Sequence, residues 1–488
     1  MPNETSPVVL KHGHVCWYTF PDKTLVTTFL NGHHVNRKPI EAIECPKTAE
    51  ERIQMLQKFQ AEGIVPDIIR VKNYKGAIGN GSNHHYMCLT PATQQLVFAD
   101  SRFLGEGSQI NYLFDTEVSR TVANNLNLQL SPFAISPESC KIMDDSIRTY
   151  LNMCIKDLEV WSLVTQEQYF NQWKDKGAID CFASFSSLAF GLCSTYLMGI
   201  PLPKQQDFSY VLNDFFSASN GSYLGNLYTT AKKIYAKYFR YQPNYFATDL
   251  TTYLLEHIRE TMKTYQIHQP PTSLIEYWLK NTLDKFIASF NEQKKEEHEN
   301  LAATNGMTLE EMCLLHNAIA VYIGMQENFS FNVTEHLVQK ARNDATPNPD
   351  TDKELAESMR MIPSSGVTRQ LNHDTIITTA NGSYHLCKGD LLSTHPIFHA
   401  YNPDLFPNPT DYEPERENKE QHCPFGKNAH QCPAKKFAMK WMSATIETLL
   451  ENNHVALIVP PDLTHVIALT MKHVPAVKMI LSQNSTGE

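Results

Sequence analysis

Residues 424–434 read Pro424-Phe425-Gly426-Lys427-Asn428-Ala429-His430-Gln431-Cys432-Pro433-Ala434, and the reading of this stretch decides the fold. Gly426 permits a close backbone approach, and Asn428 tolerates a left-handed turn better than most side chains. Behind the turn, Phe437, Ala438, Trp441, Met442, Thr445, Leu449 and Leu450 recur at helical spacing, which predicts a helix over about Pro433 to Glu451. Cys432 therefore stands where a helix begins, facing unpaired backbone N–H groups and the positive end of the helix dipole. Such surroundings favour an ionised sulfur and suit it as a ligand to a cationic metal centre. A buried free cysteine is more often an inert core residue, so the neighbouring motifs must decide.

Two of these lie upstream: Glu357-Ser358-Met359-Arg360 and Tyr412-Glu413-Pro414-Glu415-Arg416. Each is common in isolation. In this order, and followed by Phe425-Gly426-x-x-x-His430-x-Cys432, the set resembles the three signatures of the cytochrome P450 (haem-thiolate oxygenase) family. The likeness runs from about Thr308 to Leu457 and more loosely back to about Ala42. It implies a mainly α fold with smaller β-sheets, shaped as a triangular prism, with haem b between a long distal helix and the cysteine-loop helix. It further implies that Cys432 ligates the iron, that Phe425 flanks the haem, and that Arg369 and His430 bind its propionates. An arginine fork suits a carboxylate well. Glu357, Arg360 and Arg416 are expected to form a bracing charge network, two guanidinium groups around one carboxylate.

Composition agrees with a large enzyme. The chain has 488 residues, 42% of them hydrophobic and 10% aromatic, enough for a sizeable core and too many for global disorder. They are read as one domain, 1–488, in which 1–110 contributes most of the β-rich part and 111–488 the helical haem-binding part. The net charge of −10 gives no sign of nucleic-acid binding. Eleven cysteines without a C-x-x-C pair point to a reducing compartment. His422, Cys423, His430 and Cys432 match no common zinc spacing. The first 30 residues mix charged and apolar side chains, so no signal peptide or membrane anchor is expected there. The uncharged stretch Phe182 to Pro203 is long enough to raise a membrane span, but its serines, glycines and internal position favour a buried helix. A monomer in the cytoplasm, or peripheral to a membrane, is the expected form.

Along the chain, residues 1–45 read as extended segments and turns, Thr48 to Glu62 as a helix, and Ile68 to Val71 and His84 to Leu89 as strands around a turn at Gly76 to Ser82. Much of 140–300 reads as helical. Its aromatic-rich part, Phe208 to Phe239, falls where the family carries a lid, which suits a large apolar substrate. Thr308-x-x-Glu311 is a capping box opening a long helix lined by Met312, Leu315, Ile319, Tyr322, Met325 and Phe329. Pro347 and Pro349 break the chain before a helix at about Thr351 to Met361. A hairpin follows, Thr375 to Ala380 and Tyr384 to Leu386 around Asn381-Gly382.

The long helix departs from the family pattern. Monooxygenases of the family usually carry an acid followed by a threonine there, which relay protons to oxygen. Aligning Ile323-Gly324-Met325-Gln326-Glu327-Asn328 puts Gln326 at the acid and Glu327 at the threonine, so the hydroxyl is missing. An asparagine like Asn328 occurs in the sterol 7α/12α-hydroxylase and prostacyclin-synthase branches, and Pro433 resembles the same sterol hydroxylases. Asn328 and Glu327 are therefore the candidate catalytic residues. The first reading is a monooxygenase hydroxylating a sterol or other apolar lipid with O2 and electrons from a separate partner protein. An isomerase or dehydratase acting on a lipid hydroperoxide or endoperoxide would need neither electrons nor a relay. A haem-binding protein without turnover is the third reading, since the connections around the motifs are short, with eight residues between Arg416 and Phe425.

Overall fold

The computed structural model describes residues 137–201 and 245–343 throughout, most of 26–99 and 350–483, and residue 130. The Gly76-to-Ser82 turn, the aromatic stretch Phe208 to Phe239, Asn381, Asn428 and His430 lie outside the described residues.

Helices dominate, and one organises the rest. This central helix, Leu309–Arg342, starts at the capping box. Thr308 Oγ1 accepts from the Glu311 N–H at 3.2 Å, and Glu311 Oε2 accepts from the Thr308 N–H at 3.0 Å. Glu311 also takes both forks of Arg259, which tie the helix start to the helix Tyr245–Thr264. Lys340 and Arg342 in the last turn complement the dipole. Every residue from Met312 to Gln339 is buried except Gly324, which is exposed, and Asn328, which is half-buried.

The uncharged stretch after Asp180 folds as the helix Cys181–Leu192 and a wider π-turn, Cys193–Leu197, both deep in the core. Asp180 caps it by accepting from the Ala183 N–H at 2.7 Å. The run stops at Gly199, whose φ of +74° suits glycine, and a Cβ there would press within 2.8 Å of Ser273 Cβ. No helix among the described residues is long and apolar enough to cross a membrane.

Two sheets join early and late sequence. The larger runs Ala42–Glu44, Ile68–Lys72, His85–Cys88, Leu391–Thr394, Val367–Gln370. Its third and fourth strands pair in parallel, with His85 opposite Leu391. A second sheet orders Val26–Leu30, His33–Arg37, Gly382–Leu386, Thr375–Thr379, so the expected hairpin of 375–386 forms one edge of it. Asp67 ties this hairpin to the larger sheet, accepting from Thr379 Oγ1 at 2.6 Å and Tyr384 Oη at 3.3 Å.

The helix after the cysteine spans Lys435–Asn452, two residues later than the apolar spacing suggested. Its Phe437 and Trp441 meet Trp161, and Trp441 lies against Phe329 of the central helix at a ring separation of 4.2 Å. That contact clamps the cysteine helix to the central helix.

Candidate active site

Cys432 closes its turn with a backbone bond, its N–H donating to Phe425 O at 2.8 Å, while Gly426 adopts φ +70°. The N–H groups of Ala434 and Lys435 face its sulfur, as expected for a residue at a helix start. The expectation of a readily ionised thiol is corrected. Burial pushes the thiol up to about 11, outweighing those two amides, and Asp144 adds to the rise while Arg148 opposes it. A cation bonded to the sulfur reverses that balance, because a coordinated thiol loses its proton outright. The sequence showed the helix start and not how closely protein crowds the sulfur.

On the helix Thr351–Met361, which packs against the cysteine helix, the charges form a closed network. Glu357, fully buried, accepts from Arg360 Nε at 3.0 Å and Nη2 at 2.8 Å, and from Arg416 Nε at 3.4 Å. The Glu413 N–H donates to the same carboxylate at 3.0 Å. The remaining guanidinium donors reach backbone carbonyls: Arg360 to Ala400, Pro409 and Asp411, and Arg416 to Pro407, Asn408 and Asp411. Asn408 turns its carbonyl inward from a left-handed backbone, φ 49°. Arg360 also lies over the Phe406 ring, 5.5 Å from its centre. Such saturation is what makes buried ions tolerable.

Phe425 is half-buried and packs on the main core. Arg369 belongs to the strand Val367–Gln370, opposite Leu392.

Opposite faces of the central helix differ. Gln326 donates to Ser186 Oγ of the helix Cys181–Leu192. Successive residues turn about 100° along a helix, so Gly324 and Asn328 sit roughly 200° away on the far side from Gln326. Gln326, aligned to the family's acid, therefore faces away from Gly324 and Asn328. Asn328 Nδ2 donates to Gly324 O at 2.8 Å, and a Cβ added to Gly324 would meet nothing within 4 Å. Glu327 is buried a quarter-turn from Asn328. This open window is the part of the site that the sequence reading missed. Its signal was the i, i+4 spacing of a glycine and a short amide in an apolar helix.

The helix Pro137–Cys154 contributes a further face that was missed. Asp144 and Arg148, one turn apart and half-buried, both act electrostatically on Cys432, and Cys140 Sγ donates to Asp144 Oδ2 at 3.6 Å.

A recessed cysteine at a helix start, an arginine–carboxylate knot on a neighbouring helix and an open window at Gly324 on a long helix are what a haem-thiolate fold requires. The comparisons agree. The family model of cytochrome P450 matches residues 332–472. Over 123 residues the chain is 26% identical to a sterol 14α-demethylase of Mycolicibacterium vanbaalenii, covering 23% of this chain and 26% of that one. Over 122 residues it is 27% identical to the cytochrome P450 7A1 of Oryctolagus cuniculus, covering 22% and 24%. The matches thus span about a quarter of the length of these relatives. Among solved structures, CYP109Q5 from Chondromyces apiculatus superposes with a TM-score of 0.63 at 12% identity, over 91% of this chain and 99% of that one. A retinoic-acid-bound cyanobacterial CYP120A1 does so with 0.57 at 15%, over 88% and 93%. Residues 332–472 thus match the cytochrome P450 family, the chain has the fold of solved P450 structures, and the cofactor this implies is a thiolate-ligated haem b. The residues present fit that group: Cys432 offers a sulfur under two backbone amides, and the Gly324 window leaves the long helix bare.

Proposed function

We propose that this protein is a monooxygenase that hydroxylates an apolar substrate, a sterol or another lipid, with O2 and electrons from a separate donor protein. Its strongest support is the combination of a recessed cysteine at a helix start with an open, small-residue window on a helix clamped to the cysteine helix through Phe329 and Trp441. When bound, the haem supplies oxygen activation, with the thiolate pushing electron density toward O–O cleavage. The protein's residues do the rest. Cys432 would hold the iron, with the Ala434 and Lys435 amides facing its sulfur and Asp144 and Arg148 acting in opposite senses. Arg369, His430 and Phe425 are assigned to the haem rim by their matching positions. On the window side Asn328, held by the Gly324 carbonyl, orients water and oxygen, and Glu327 beside it is the proton source.

One oxygen atom enters a C–H bond, and the other leaves as water with two protons and two electrons. That balance requires the external donor. The names of two relatives, a sterol demethylase and cytochrome P450 7A1, support the lipid substrate class. The missing hydroxyl, with Glu327 in its place and the amide of Asn328 after it, favours one competing reading, rearrangement of a lipid hydroperoxide without electrons. The test gives the purified protein a sterol and fatty-acid panel with NAD(P)H and a reductase or ferredoxin system, and separately a lipid hydroperoxide without reductant. Hydroxylated product that requires both O2 and reductant is expected. Fast hydroperoxide rearrangement with no reductant-dependent product would overturn the proposal.

A further inference from the structure

The central helix meets the helix Cys181–Leu192 and its π-turn across a largely apolar seam, and two polar contacts interrupt that seam. Gln326 bonds to Ser186. Tyr322 Oη lies 2.9 Å from Ser194 Oγ, and since the Ser194 hydroxyl donates to Phe190 O at 2.8 Å, Tyr322 is the donor of the pair. All four side chains are essentially inaccessible to solvent. The Tyr322 ring also stacks on Phe190 with centres 4.8 Å apart. The later residue of one helix meets the earlier of the other, so the two run antiparallel. Ser330, one turn beyond, hydroxyl-bonds back to Gln326 O at 2.7 Å and keeps the same side.

Neutral bonds buried in an apolar seam add little to stability. Their larger effect is on register, since a directional bond accepts one rotation where apolar packing accepts several. Tyr322, Gln326 and Ser330 lie within about 80° of one another on one face, and Gly324 and Asn328 lie on the opposite face. Rotation by one residue would present Ile323 and Glu327, or Met325 and Phe329, in place of the glycine and the amide. We propose that Tyr322 and Gln326 are positioning residues whose bonds to Ser194 and Ser186 fix the rotation of the central helix and thereby hold the Gly324–Asn328 window over the haem. The proposal rests on the haem reading for its ligand and on the helix seam for its device.

The test uses the holoenzyme and ferric-haem titration with imidazole. In the wild-type background, Gly324→Val should weaken imidazole binding by filling the window. In a Ser186→Ala, Gln326→Leu background, which removes both partners of this bond, that penalty should shrink about tenfold, a coupling typical of linked sites. Ser186→Thr, which keeps the hydroxyl, should restore the wild-type penalty. Amide hydrogen exchange over residues 320–330 should quicken in the double variant while its unfolding midpoint stays near that of the wild type. Tyr322→Phe with Ser194→Ala repeats the comparison should the first pair fold poorly. An unchanged Gly324→Val penalty with unchanged exchange, in either folded pair, would overturn the positioning role. Absence of haem would instead refute the proposed function, and the exchange rates would still judge the seam.

Discussion

Two regions of the molecule are built from opposite materials. On the helix Thr351–Met361, Glu357 holds two buried guanidinium groups, and backbone carbonyls take up their spare donors. The central helix is set instead by neutral groups, an amide on a serine and a phenol on a serine, within an apolar seam. A charged knot is intolerant, because losing one member strands another charge without solvent. A neutral clasp is cheap to lose, and what it governs is orientation. The knot supports the fold, and the seam aims the central helix.

The largest effect should come from the knot. Glu357→Ala leaves Arg360 without a carboxylate and Arg416 with only the exposed Glu413, and should cost about 3–5 kcal/mol. Urea unfolding and the haem-to-protein ratio of purified material would record it. Glu357→Gln, which keeps an acceptor, should be milder; equal stability of wild type and Glu357→Ala would break the contrast.

Next come the residues at the window. Glu327→Gln should slow reductant-driven turnover by about a hundredfold, the lower range for loss of a positioned proton donor, with stability nearly unchanged. Asn328→Ala should lower coupling of electron consumption to product. Product and reductant assays on the same samples would sharpen the division, and full activity of Glu327→Gln would remove it from the proton path.

Acid should loosen the central helix before the knot. His316 and His336 lie on that helix, and burial first, then nearby cations, pushes each down to about 3. Because their folded values lie below the unfolded one near 6.5, their contribution is fully present above about pH 6.5 and is lost as pH falls toward 3. Unfolding midpoints at pH 7, 5.5 and 4.5 should fall in that order. His316→Asn, whose carbonyl oxygen can accept from the Leu130 N–H as His316 Nδ1 now does at 3.0 Å, should flatten the fall. Asp144 runs the other way: burial raises its carboxyl to about 6, so its contribution is lost as pH rises from about 4 to 6. The two histidines outweigh it.

The smallest effect belongs to the rim of the knot. Lys353 meets Glu415 at 2.7 Å, but both are exposed. Lys353→Ala should leave the unfolding midpoint where it is, since such pairs are screened by water and salt.

The same contrast explains what the sequence disclosed. Charged and capping residues leave signatures at fixed spacings, so the Thr308 cap, the helix Thr351–Met361 and the grouping of Glu357 with Arg360 and Arg416 were readable. Solvent exclusion leaves none. The Cys432 thiol looked acidic from its helix start, and burial makes it weaker. Helix rotation was equally hidden, because an alignment can give Gln326 the acid's position without showing that its side chain turns to Ser186. The serines that receive Gln326 and Tyr322 lie more than a hundred residues upstream, in a stretch with no charge to mark it.

Ligation of iron by Cys432 is the claim beneath all of these, and the carbon monoxide complex of the reduced protein tests it most directly. The wild type should show the red-shifted Soret band of a thiolate ligand, and Cys432→Ala should lose it. A Cys432→Ala protein that keeps the band, or a wild type that never shows it with haem fully loaded, would contradict the account.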